Sequence, residues 1–487
     1  MTRLSKSQFI RGLQCHKSLW LYKNRPELRE EPEADQQAAM DIGQDVGRLA
    51  RELFPDGEEI VFELDKIGDN IQRTKNLIQT GGQTIYEAAF VHDDILVFTD
   101  ILHKGEEGWE LYEVKASGSV KDVYLNDVAL QVHVLTGGGI TLAKACLVHI
   151  NTGYVRLGEF DLHSFFVIAD LTETVLEMQE VVQQEIVRMR QAVAGEMPAI
   201  DIGPHCSDPY ECNFSAFCWQ HVPEVSVFNL YFMPWTRRFE LYNKGVLAFE
   251  DLPKDFYLSE IQKMQVETHL HGQEFINPAG IRDFLATVTE PTGFLDFETF
   301  MQAVPEFDNQ RPYQQIPFQY SLHILSQGNL AQKEFLAAPQ GDPREAFIRR
   351  LIADTQDCQV LVVYNQAFEK RILTELARDF PTWHEDIQSI KTRIIDLLVP
   401  FRQGNYYLKA MNGSFSIKSV LPALIPGMGY DHLAISNGGM AMEAFPMYRN
   451  AHDPAEQERI RQELLEYCRM DTLAMVRIID MLNEKAV

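Results

Sequence analysis

The octapeptide GFLDFETF at residues 293–300 sets Asp296 and Glu298 two positions apart inside an apolar run. Side chains at that spacing share one face of a β-strand, and burying two like charges side by side is expensive unless something positive, such as a metal ion, lies between them. A second acidic set comes with a lysine. In FTDILHKGEEGWELYEVKAS, Asp100 lies on one predicted strand and Glu113 and Lys115 on the next. Glu113 and Lys115 then share a face, and a hairpin brings Asp100 opposite them. Two carboxylates can bind a divalent cation, while the lysine orients or helps deprotonate an attacking water and offsets phosphate charge. That chemistry suits phosphodiester hydrolysis.

The pair at 296 and 298 has partners further along the chain. VLVVYNQAFEKRIL reads as a buried strand running into a helix, with Asn365 at the exit, Phe368 following and Glu369 in the first helical turn. EYCRMDTLAM places Tyr467 and Asp471 four apart, on one face of a C-terminal helix. Four carboxylates brought together from a strand and two helices can hold two divalent ions about 4 Å apart, which activates a water and stabilises a leaving oxygen. Tyr467 would position that water. Lys409 and Lys418, with the aromatics of YYLKAMNGSFSIKSVLPAL, read either as contacts to a nucleic-acid strand or as a solvated loop.

A third constellation is sulfur. HCSDPYECNFSAFCWQH spaces Cys206, Cys212 and Cys218 evenly in a loop, and Cys15 is a candidate fourth ligand from the N-terminal helix. Four thiolates accept either an iron–sulfur cluster or zinc, and His16, His205 and His221 keep a Cys/His zinc site open. A metal held in this way would staple the two ends of the first domain. Cys146, Cys358 and Cys468 read as core residues.

The elements that must position these groups alternate in type. Residues 1–30 carry a helical pattern with Ser5 or Ser7 as cap. TIYEAAFV, DILVFTDILH and WELYEVKAS read as strands, as does LAKACLVHIN, and a long amphipathic helix runs from Asp170 to Gly195. Helices WTRRFELYNKG and LSEIQKMQVETHLHG follow. TGFLDFETF, FQYSLHIL and CQVLVVYN then read as strands, with helices after residue 365 and at the C-terminus. The expected class is α/β, in a first domain 1–222, a helical connector 223–289 and a second domain 290–487.

A chain of 487 residues exceeds one core. The net charge of −26 argues against a surface coated with nucleic acid, though it leaves room for a local basic groove. Without a long apolar run or an apolar leader, neither membrane insertion nor secretion is expected, which points to the cytoplasm and to reduced cysteines.

Residues 1–222 resemble the RecB-like branch of the PD-(D/E)XK nuclease superfamily that carries an iron–sulfur cluster. The matching features are TD at Asp100, EVK at Glu113 and Lys115, Gln131 on the following helix, and one N-terminal plus three C-terminal cysteines. The resemblance implies a restriction-endonuclease-like fold, DNA cleavage with Mg²⁺ or Mn²⁺, and a [4Fe–4S] cluster on Cys15, Cys206, Cys212 and Cys218, with Zn²⁺ as the alternative. Two departures stand out: no histidine occurs between residues 17 and 91 to supply the branch's early ligand, and Leu135 replaces a frequent tyrosine. Glu87 is a candidate to assist.

Residues 290–487 resemble the DEDD exonucleases of the ribonuclease H-like fold, in the version ending Tyr-x-x-x-Asp. The resemblance implies 3′-to-5′ trimming, with Asp296, Glu298, Glu369 and Asp471 as metal ligands and Tyr467 orienting water. Glu369 departs from the family's aspartate, and Asp396 in RIIDLLVPF, on a strand where the family often has an aspartate, is a further candidate. The whole chain resembles a bacterial family joining two such domains, and the expected partner is a nucleic acid, DNA ahead of RNA. Two other readings compete with it. In one, the chain is a nucleic-acid-binding scaffold with one or both nuclease sites inactive. In the other, a zinc staple accompanies ordinary solvated carboxylates.

Overall fold

The computed structural model describes residues 3–31, 34–272 and 274–486 and is mixed α/β, with several sheets and many helices. The chain forms two compact units, Met1–His221 with Gln302–Tyr313, and Val222–Met301 with Gln314–Val487. Residues 223–289 thus belong to the second unit. Among the described residues no helix is long and apolar enough to cross a membrane.

The first unit is built on strands β1 (Leu4–Ser5), β2 (Glu58–Glu59), β3 (Thr84–His92), β4 (Ile95–Lys104), β5 (Trp109–Lys115), β6 (Leu142–Ile150) and β7 (Phe166–Asp170). They run β2-β3-β4-β5-β6-β7, with β1 beside β4. β5 and β6 pair in parallel, joined by a crossover containing the helix Asp122–Gly137. Trp109 and Leu111 enter a core with Val128 and Leu130 of that helix, while Tyr112 and Val114 enter a second core with Val148 and Phe165. Coverage on both faces explains why β5 carries apolar residues toward both sides, Trp109 and Leu111 to one and Tyr112 and Val114 to the other. Period two then carries Glu113 and Lys115 onto the face that meets the helix.

The N-terminal helical stretch is interrupted. Ser5 forms a capping box on the helix Lys6–Gln14, and extended backbone at Cys15 separates it from the helix His16–Asn24. The long amphipathic stretch also divides at Met178, into Thr172–Glu177 and Gln179–Ala194. β7, short and partly exposed, was not legible from periodicity.

The second unit contains β8 (Phe275–Ile276), β9 (Thr292–Met301), β10 (Gln315–Ser326), β11 (Asn329–Leu336), β12 (Val360–Val363), β13 (Ile394–Asp396) and β14 (Tyr406–Tyr407). Its five-stranded sheet runs β11-β10-β9-β12-β13, and β8 pairs with β14. β9 is antiparallel to β10 and parallel to β12, so it lies at the sheet's centre. The C-terminal helix Pro454–Lys485 is fastened to β10 by buried polar contacts. Gln319 donates to the Leu464 carbonyl at 2.8 Å, and Ser321 and His323 meet the Thr472 hydroxyl at 2.7 and 2.8 Å. Ser321 and Gln319 pair with Asp296 and Glu298 across the ladder. The same fastening therefore sets Tyr467 and Asp471 above the acidic pair.

Gly293 is the second residue of this central strand and sits where no side chain fits: a Cβ would lie 2.7 Å from Leu361 and 3.0 Å from the Cys358 sulfur. Gly293→Ala is expected to destabilise the second unit by about 1–3 kcal/mol through overpacking. Thermal unfolding followed by circular dichroism measures it, and an unchanged transition would contradict this packing.

Candidate functional site

In the second unit, β9 presents Asp296 and Glu298 on one face, the C-terminal helix supplies Asp471, and the first turn of the helix Ala367–Asp379 supplies Glu369. All four line one cleft of about 240 Å³ with Tyr467 and Lys418. Ligand atoms of Asp296, Glu298 and Cys468 lie within 4.8 Å of one another. Glu298, Glu369 and Asp471 are buried, and Asp296 is half-buried.

The electrostatics are one-sided. Burial, reinforced by Asp471, Glu298 and Glu369, pushes the Asp296 carboxyl well above its ordinary range. Burial and Asp471 do the same to Glu298. Burial raises Glu369 to about 8. It raises Asp471 to about 6, restrained by the hydrogen bond from Tyr430 and by Lys418. Among the described residues lining the cleft, Lys418 is the one cation. Its ammonium also lies over the Tyr430 and Tyr467 rings, at 5.4 and 5.5 Å. Glu369 Oε2 is buried without a hydrogen-bond partner. A buried, unpartnered carboxylate oxygen beside three more carboxylates is a donor set of the kind that hard divalent cations take.

Tyr467 lines the same cleft, four residues before Asp471 on the C-terminal helix. Asp396 is a turn-former: its Oδ1 accepts from the backbone N–H groups of Asn365 and Leu398 at 2.9 and 3.0 Å. Tyr430, which donates to Asp471 at 2.6 Å, was missed in the sequence because it lies in an irregular loop. Lys409 lies elsewhere, against the His269 carbonyl.

The first unit brings Asp100, Glu113, Lys115 and Gln131 together around two residues that sequence reasoning missed. Glu113 Oε1 accepts from Lys115 at 2.6 Å and from Lys6 at 2.7 Å, and its Oε2 accepts from Gln131 at 2.7 Å. Lys115 also reaches Asp127 at 2.6 Å. Asp100 accepts from the Val114 N–H at 2.7 Å, where the β3–β4 ladder skips Glu87, whose φ is 57°. Glu87 pairs with Arg51 at 2.9 Å. Burial opposes ionisation of Glu113, yet Lys115 and Lys6 outweigh it and hold this carboxyl well below the usual range. Burial and Glu113 raise Asp100 to about 7. Asp127 could have been found four residues before Gln131, on the same helix face; nothing in the sequence marks Lys6.

The cysteines converge as well. Cys15, Cys206, Cys212 and Cys218 line one small cavity of about 20 Å³, and burial raises Cys15, Cys206 and Cys218. Cys212 faces the Ser18 hydroxyl at 3.4 Å. His16 is directed away, to Glu185 at 3.6 Å, while His205 lines the cavity.

Residues 293–416 match a family described as a domain of unknown function (DUF2779). The chain is 29% identical over 207 residues to the uncharacterized protein MG366 of Mycoplasma genitalium, and 29% over 205 residues to its Mycoplasma pneumoniae homolog. Each match covers 38% of this chain and 31% of the relative, so the match spans under a third of those proteins. A family B DNA polymerase from Pyrobaculum calidifontis aligns at a TM-score of 0.25 with 11% identity, over 77% of this chain and 43% of the polymerase.

Raised carboxyls bind protons more tightly folded than unfolded, so they add stability at low pH that is lost as pH rises from about 4.3 toward the folded value. In chelator the protein is expected to lose stability between pH 5 and pH 8, because Glu369 titrates near 8. Glu369→Gln flattens this slope, and excess Mg²⁺ flattens it in the wild type. Equal slopes in melts of wild type and Glu369→Gln would refute the assignment.

Proposed function

We propose that the protein is a metal-dependent nuclease whose second unit trims nucleic acid, DNA ahead of RNA, from a 3′ end. The observation that carries this reading is the imbalance of four cleft carboxylates against one lysine, with an unpartnered oxygen on Glu369. Asp296, Glu298, Glu369 and Asp471 would hold Mg²⁺ or Mn²⁺. Bound cations of this kind activate an attacking water and stabilise the leaving oxygen. Lys418 offsets phosphate charge, Tyr430 fixes the Asp471 carboxylate, and Tyr467, which lines the cleft, would orient the attacking water. The central strand order β11-β10-β9-β12-β13, with the acidic pair on β9, supports the ribonuclease H-like comparison.

A groove of about 750 Å³ supports a single-stranded substrate, since it shares Tyr364 and Ile417 with the acidic cleft. Phe232, 77% exposed at φ 50°, lies beside Tyr231, and Arg238 lines the same groove. Such aromatic faces stack bases without regard to sequence.

We assign the first unit to the PD-(D/E)XK comparison on its sheet and on the convergence of Asp100, Glu113, Lys115 and Gln131. The four cysteines would hold a [4Fe–4S] cluster, with Zn²⁺ as the alternative. Lys6 favours a second reading for this unit alone. Its ammonium occupies Glu113 where a cation would bind, so this site would bind a strand without cutting it. Lys6→Ala is expected to raise Mn²⁺ affinity and any cleavage by this unit, measured with the Asp296→Asn change also present. Unchanged affinity would remove the second reading.

The main test uses anaerobically purified protein with Mg²⁺ or Mn²⁺ on end-labelled single- and double-stranded DNA and RNA. Asp296→Asn and Asp471→Asn are expected to slow stepwise 3′ trimming at least about a hundredfold, because metal stabilisation supplies several kcal/mol. Lys115→Ala leaves trimming unchanged. A well-folded wild type that binds strands but cleaves none would leave the scaffold reading in its place.

A further inference from the structure

We propose that His92, Asp93 and His133 form a binding site for a divalent transition metal, with Zn²⁺ the best fit. The three lie in the first unit, at the turn between β3 and β4 and on the helix Asp122–Gly137. Asp93 and Asp94 make that two-residue turn, both at φ 48°, where a hairpin usually takes Asn-Gly. Asp93 thereby sets a carboxylate at the end of the hairpin.

Both imidazoles address the same carboxylate oxygen. Asp93 Oδ2 is 3.2 Å from His133 Nε2 and 3.7 Å from His92 Nε2. One donor atom from each residue lies within 4.8 Å of the other two, and the rings are 5.4 Å apart. Zinc bonds near 2.0–2.1 Å at a tetrahedral angle separate neighbouring donors by about 3.3 Å. The observed spacings bracket that distance.

Gly137 keeps the space open. A Cβ there would lie 2.1 Å from His92 Cδ2 and 2.3 Å from Nε2, so only glycine lets the ring lie against the end of the helix. His133 is buried, whereas the Asp93 and His92 side chains are 42% and 35% exposed, giving an ion a path from solvent. Two nitrogens and one oxygen suit zinc over magnesium or calcium, which prefer oxygen alone. Three protein donors leave a position for water.

The consequence is mechanical. The helix that carries His133 also carries Asp127 and Gln131, and a metal would tie it to the β3–β4 hairpin. A ligand that binds only the folded state raises its stability.

The test titrates Zn²⁺ into the full-length protein, purified anaerobically with its cysteine centre intact and with excess Mg²⁺ present. Calorimetry reads stoichiometry and affinity, and thermal melts read the staple. Asp93→Asn preserves the left-handed turn, and His92→Ala removes a partly exposed ring. The wild type is expected to bind one more Zn²⁺ per chain than either variant, at an affinity at least about tenfold higher than any residual binding there. Zn²⁺ should raise the melting temperature of the wild type only. Wild-type stoichiometry and affinity in either variant would overturn the proposal.

Discussion

Among the described residues, four carboxylates share one small cleft of the second unit with a single ammonium group. Burial alone pushes each toward its neutral form, and proximity adds to it at Asp296 and Glu298. An unpaired buried charge is among the most expensive features a protein can carry, so these carboxyls either take up protons, as their upward-shifted pKa values show, or share a cation. Two elements of the unit position that cluster. The central strand supplies two of the acids at period two, and buried hydrogen bonds from Gln319, Ser321 and His323 lock the C-terminal helix that supplies a third.

The first unit meets the same difficulty by another route. Glu113 and Asp127 are answered by Lys6 and Lys115, at 2.6 to 3.5 Å. This site is largely balanced by its own side chains, and its carboxylates diverge: Glu113 is held low while Asp100 is held high. The two acidic constellations look alike in sequence, yet they differ in what they require. One sets a single ammonium against four carboxylates, and the other supplies its own balance.

Asp296, Glu298, Asp471 and Tyr467 were legible because regular elements carry them, so spacing alone sets the face. Asp100 and Glu113 were legible for the same reason. Lys6 and Tyr430 were not, because each acts through a long-range contact, across 107 residues from Lys6 to Glu113 and 41 from Tyr430 to Asp471, that no local pattern encodes. Asp396 misled because a short strand followed by a turn uses the carboxylate to bond backbone N–H groups, and a ligand and a turn-former look identical in sequence. The broken helices at Cys15 and Met178 were hidden by apolar periodicity that continues through each break.

The account rests on divalent cations balancing the cleft of the second unit. Titration of Mn²⁺ into chelator-treated full-length protein, followed by electron paramagnetic resonance, tests this most directly when wild type is compared with Asp471→Asn. The account predicts that the wild type binds additional Mn²⁺ with the spectrum of a spin-coupled pair, and that Asp471→Asn loses it while remaining folded. Identical isotherms and spectra for the two proteins would contradict it.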